Sequence, residues 1–111
     1  MIVEERIYTL EVGGTGPYVK LYMEEGLAIQ EPILGHLVGY YTTEIGPLNQ
    51  VVHMWAYQDL EDRRVRRERL VSDERWKAYI AKVRPYLKTM ENKILIPAPF
   101  STVHRVEVDH G

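Results

Sequence analysis

His53 is the residue best suited to proton chemistry, because an imidazole titrates near neutrality, at about pH 6.5 in an unperturbed setting. It lies in the run Val51-Val-His-Met-Trp-Ala-Tyr57, which reads as a strand. Side chains alternate along a strand, so Val51, His53, Trp55 and Tyr57 share one face and Val52, Met54 and Ala56 the other. Aromatic walls with polar tips suit a planar molecule held by stacking and hydrogen bonds. His53 and Tyr41 are the candidate proton-handling pair, with Tyr41 expected across the strand. Trp55, Tyr57, Tyr8, Arg6, Glu44 and Arg63 are the candidate ligand contacts. The small apolar face is expected to lie under helices and the aromatic face to line a pocket or a subunit interface. A pocket there should exceed roughly 300 Å³.

Other chemistries find little support. His36, His53, His104 and His110 lack the close spacing of metal ligands, so no metal and no cofactor is expected. The glycines at 13, 14 and 16 match neither a phosphate loop nor a dinucleotide fingerprint and read as a turn. No Ser–His–Asp set or carboxylate pair stands out. The basic run from Arg63 to Arg69 is interleaved with Glu61, Asp62, Glu68 and Glu74, the pattern of a solvated helix face. Arg63 is the exception, expected to reach back toward a cavity rim or a carboxylate.

At 111 residues the chain is one domain, with a net charge of −2, which offers no general affinity for nucleic acid or anionic membrane. There is no cysteine, and no apolar run is long enough to span a bilayer. The opening residues look like a strand rather than a leader, so a cytoplasmic location is expected.

The elements that must position the candidates follow from pattern and punctuation. Residues 2–12 read as a strand. A helix opens at Gly16-Pro17 and stops at Pro32. Strands at 36–45 and 49–57 flank a short turn at Gly46-Pro47-Leu48. A helical region runs from Asp59 to about Leu87 with a joint at Ser72-Asp73, and a last strand covers 90–97. This order predicts an α+β fold: a ferredoxin-like βαββαβ antiparallel sheet with helices on one face. The first and last strands are expected in the middle. Arg6, Tyr8 and Leu10 should join the aromatic face, with Val3 and Ile7 opposite. An uncovered aromatic face calls for a second copy, hence a homodimer.

The stretch from Leu37 to Tyr57 with Asp59, Leu60 and Arg63 closely resembles the NIPSNAP family. So do Arg6 to Leu10, Glu24 to Leu27, the pair Trp76 and Tyr79, and Glu91 to Pro97. The resemblance spans residues 2–101. It implies a NIPSNAP-like domain over 1–101, pairing as a dimeric α+β barrel, with 102–111 as an edge strand or dimer arm. It also implies a small-molecule-binding or protein-interaction role. Families sharing that fold include cofactor-free monooxygenases and isomerases, so an enzyme acting on a small aromatic or polyketide-like compound is the alternative.

Overall fold

The structure is a computed structural model that describes residues 1–102; the C-terminal arm expected at 102–111 lies outside the described residues beyond Thr102. Its elements are β1 (Ile2–Leu10), α1 (Thr15–Leu21), α2 (Leu27–Leu34), β2 (His36–Thr42), β3 (Gln50–Tyr57), α3 (Leu60–Ser72), α4 (Glu74–Val83) and β4 (Leu87–Leu95). A π turn at Tyr22–Gly26 joins α1 to α2 without a break, so three helices pack on a four-stranded antiparallel sheet. The expected α+β, ferredoxin-like fold is the fold observed.

The strand order is β2-β3-β1-β4. The two central strands are therefore β1 and β3, and the last strand is an edge, contrary to expectation. Two interleaved β-α-β units explain this. Each unit straddles one strand of the other, and the straddled strands are the first of each unit.

Local chemistry sets the element ends. Asp59 caps α3 by accepting from the Asp62 amide at 2.8 Å, while Asp62 accepts from the Gln58 amide at 3.0 Å, a reciprocal cap. The joint after α3 falls where expected, but its cap is Asp73 rather than Ser72: Asp73 Oδ1 accepts from the Arg75 amide at 2.8 Å and the Trp76 amide at 3.3 Å. Pro32 does not stop the first helical run. It sits inside α2, one turn from the end, where a missing amide costs a single bond. The stop is Gly35, at φ 97°, whose amide bonds Glu31 O at 2.8 Å.

The hairpin between β2 and β3 is longer than expected. Its loop occupies residues 43–49, with Gly46 at φ 128° and Asn49 at φ 63°. Thr42 consequently pairs with Val51, Tyr41 with Val52 and Tyr40 with His53. A bulge between Leu37 and Gly39 shifts the register again, so that Leu37 faces Trp55.

The largest departure from expectation concerns the two sheet faces. The residues sort as expected, with Arg6, Tyr8 and Leu10 beside the aromatic residues of β3, but the helices cover the aromatic face. One core joins Tyr8, Leu10 and Val51 to Tyr18, Tyr22, Tyr79 and Val83 from the helical layer. A second joins Ile2, Trp55 and Tyr57 to Ile33, Leu34 and Leu70. Val3 and Ala56 lie on the opposite face with Met1 and Met54. The helices bring aromatic side chains of their own, and large rings fill the gap between a sheet and a helix layer better than the small side chains of the other face. Gly26 permits this approach: a Cβ there would meet Tyr22 and Tyr79 ring atoms at 2.7 Å.

Candidate functional site

Alternation along β1 puts Glu4, Arg6 and Tyr8 on the helix-covered face, and the register sets Glu4 opposite Trp55 and Arg6 opposite His53. On the other flank, Arg6 faces Asn92 of β4. Two turns of α3 pass over this ground, and Arg63 and Arg67 are four residues apart, on one side of that helix.

Glu4 is the hub. It is fully buried, and its Oε2 accepts from Arg63 Nη2 at 2.7 Å, Asn92 Nδ2 at 2.7 Å and Arg6 Nη1 at 3.0 Å. Burial by itself would raise its pKa. The hydrogen bonds from Arg63 and Asn92 and the charges of Arg6 and Arg63 outweigh burial and hold it at about 2. Arg6 also donates from Nε to the Tyr8 hydroxyl at 2.8 Å.

His53 is set beside this hub. Trp55 Nε1 donates to His53 Nδ1 at 2.8 Å. An indole can only donate, so Nδ1 is the acceptor and the neutral ring carries its proton on Nε2. Tyr40 stacks on the imidazole at 4.6 Å between centroids and Tyr8 meets it edge-on at 4.9 Å. Burial, then the positive charges of Arg6 and Arg67, lower its pKa to about 3. Burial likewise raises the Tyr57 phenol to about 12.

Four buried polar atoms of this region have no hydrogen-bond partner: Glu4 Oε1, His53 Nε2, the Tyr57 hydroxyl and Arg63 Nε. The space touching His53, bounded by Tyr8, Tyr18, Tyr40, Trp76 and Met90, is about 30 Å³. That admits a water molecule but not a ring, so the large pocket expected at His53 is absent here. The aromatic helices fill it.

Arg6, Tyr8, His53, Trp55, Tyr57 and Arg63 are thus brought together, and Arg63 reaches a carboxylate as expected. Tyr41 and Glu44 are not part of the group. Tyr41 is exposed and pairs with Val52 on the opposite face, because the long loop reverses the parity expected of the hairpin. Tyr40 takes its place. Glu44 is exposed in that loop. Sequence reasoning missed Glu4, Tyr40, Arg67 and Asn92. Two signals were present: Glu4 falls in step with Arg6 and Tyr8, and Arg67 follows Arg63 by one turn.

In chemical terms the site can orient and hydrogen-bond a ligand. Proton abstraction by His53 does not fit, since its free lone pair is engaged by Trp55 and its pKa is far below neutrality. Among the described residues no metal-ligating side chains gather in threes, and no helix is long and apolar enough to cross a membrane.

Comparison with known proteins identifies the family of the chain. A family model described as NIPSNAP matches residues 3–102. A NipSnap homolog of Dictyostelium discoideum is 34% identical over 94 residues, 85% of this chain and 41% of that protein. NipSnap homolog 1 of Danio rerio is 38% identical over 60 residues, 54% of this chain and 22% of that protein. The chain therefore spans less than half the length of these relatives. Among solved structures, a NIPSNAP family protein of Agrobacterium tumefaciens is 53% identical, with TM-score 0.88 over 90% of this chain and 95% of that one. An uncharacterized NIPSNAP-like domain protein of Burkholderia xenovorans is 52% identical, with TM-score 0.89 over 90% and 87%. An antibiotic biosynthesis monooxygenase, at 10% identity and TM-score 0.62 over 89% and 100%, shares the fold alone. The chain belongs to the NIPSNAP family.

Proposed function

We propose that this chain works as a cytoplasmic homodimer that binds a small molecule on the helix-covered side of each sheet, its polar end reaching toward Arg6, Tyr8, His53, Trp55, Tyr57 and Arg63 and its body lying over the exposed strand β4. The observation that carries this reading is the cluster of four unpartnered buried polar atoms. Each unmade bond costs about 1–3 kcal/mol, and a fold retains such a group where something else completes it. The approach is open over β4, whose residues beyond Leu87 are exposed. Met90, Asn92 and Ile94 share the site's face there, opposite Tyr8, Arg6 and Glu4.

The second copy is called for by the open face. Val3, Val38, Met54, Leu95 and Ile96 line a trough there of about 360 Å³. Uncovered apolar surface of this kind on one side of a sheet suits burial against another sheet. The absence of cysteine fits a reducing compartment. Catalysis is less well supported than binding. Glu4 is held at about 2, His53 at about 3 and Tyr57 at about 12, which leaves no acid or base among them poised near neutrality.

Two measurements test the reading. Sedimentation at micromolar concentration is expected to give twice the chain mass; a stable monomer would overturn the dimer. Tyr57→Phe removes an unpartnered hydroxyl, so it is expected to leave the ligand-free protein as stable or to gain up to about 1 kcal/mol. A loss larger than that would show that the hydroxyl is satisfied within the fold and would remove it from the site. Fractionation of the native cells checks the location, and recovery outside the soluble cytoplasmic fraction would contradict it.

A further inference from the structure

The charges around Glu4 do not balance. Arg6 and Arg63 share its one carboxylate. Arg67 is half-buried on the same side of α3 as Arg63, within electrostatic reach of Arg6, Glu4, Tyr8 and Tyr57. Among the described residues it makes no hydrogen bond and no ion pair. Other arginines of that helix are paired outward, Arg64 with Glu61 and Glu68, and Arg66 with Asp62. The remaining groups facing the cluster are neutral: His53 and Tyr57 from β3, Tyr8 from β1, and Asn92 from β4. Three guanidinium groups thus face a single carboxylate in a part-buried setting, where leaving a cation unpaired is costly.

Three of the four unpartnered atoms can donate. His53 Nε2 and Arg63 Nε are both N–H donors, and the Tyr57 hydroxyl can donate. Glu4 Oε1 is the only one of the four limited to accepting. Donors and positive charge both exceed what the protein supplies in return.

Building on the binding site proposed above, we infer that its ligand is a small oxyanion, a carboxylate or phosphate compound, whose negative group is held by Arg67 beside the Glu4–Arg6–Arg63 cluster. A guanidinium offers paired donors that match either oxyanion. Entry over the exposed strand β4 leads past Met90 and Ile94, so an apolar body behind the oxyanion finds apolar contact.

The test uses the full chain with three probes at matched ionic strength in chloride: benzoate, benzamide and inorganic phosphate. Benzamide has the shape of benzoate without its charge. The readouts are thermal unfolding and the Trp55 indole N–H signal, which reports on its bond to His53. Benzoate, phosphate or both are expected to shift that signal saturably and to raise the unfolding temperature, with benzamide far weaker. Comparing benzoate with phosphate separates carboxylate from phosphate ligands. Arg67→Gln is expected to weaken the anion at least tenfold, Arg67→Lys less. Without anion, Arg67→Gln is expected to be no less stable than the parent, which a purely structural arginine would not allow.

Equal effects of benzoate and benzamide, unchanged by Arg67→Gln, would overturn the anion while leaving the small-molecule reading intact. An anion effect unchanged in Arg67→Gln would overturn the role of Arg67. A Trp55 signal unmoved by every probe would overturn this inference, leaving the place of Tyr57 in the binding site to the Tyr57→Phe measurement.

Discussion

The helix-covered and open faces of this sheet are made by the same strands, yet they solve different problems. The covered face carries Glu4, Arg6, Tyr8, His53, Trp55 and Tyr57, all buried. The open face carries Val3, Ile7, Val52, Met54 and Ala56, smaller and apolar, with Glu5 and Lys93 paired across it at 3.8 Å. Bulk and polarity therefore do not mark the outward side. The deciding factor is the partner layer. Helices that present Tyr18, Tyr22, Trp76 and Tyr79 leave space that only large side chains fill, and they bring Arg63 and Arg67 to Glu4.

The contrast is broken most severely at Glu4. Glu4→Ala strands Arg6 and Arg63 without their shared carboxylate. The expected cost is about 3–5 kcal/mol, as for other buried ion pairs that lose one member, read by chemical denaturation. A cost within about 1 kcal/mol would mean that water reaches the cluster.

Neighbouring residues on the two faces sharpen the comparison. Trp55→Ala empties a fully buried position and is expected to cost about 3–5 kcal/mol. Met54→Ala, half-buried on the open face, is expected to cost about 1 kcal/mol or less in the dilute protomer. Equal costs at high dilution would reverse the face assignment. Equal costs only at high concentration would instead mark Met54 as covered by a second copy.

The smallest effect is expected at Tyr41. Tyr41→Phe should change stability by less than about 0.5 kcal/mol and leave the Trp55 indole signal in place. A clear shift of that signal would return Tyr41 to the site.

Much of the fold was legible because periodicity and punctuation are local. The caps at Asp59 and near Ser72-Asp73 and the alternation of β1 and β3 all depend on neighbours within a few residues. What failed depended on distant parts of the chain. The parity of Tyr40 and Tyr41 rests on the conformation of the loop 43–49, which residue type alone does not set. The covering of His53 and Trp55 rests on packing against the helices. Arg67 was concealed because it sits in a run in which two arginines, Arg64 and Arg66, do pair with acids on their own helix. Glu4 offered no signal beyond its step with Arg6 and Tyr8, because its burial and its partners Arg63 and Asn92 come from α3 and β4.

The central claim is that the helices cover the aromatic face of β3, with His53 held neutral. A pKa lowered to about 3 from 6.5 means the unfolded chain binds a proton that the folded chain refuses between those values. Stability then falls as pH drops from about 6.5, by about 1.4 kcal/mol per unit, and Glu4 adds to the loss from about 4.5 toward 2. The most direct measurement is nitrogen NMR of the His53 ring across this range. The account predicts a neutral ring, protonated on Nε2 and not on Nδ1, with no titration from pH 8 down to the onset of acid unfolding. A midpoint near 6.5, with both nitrogens protonated below it in the folded protein, would contradict it.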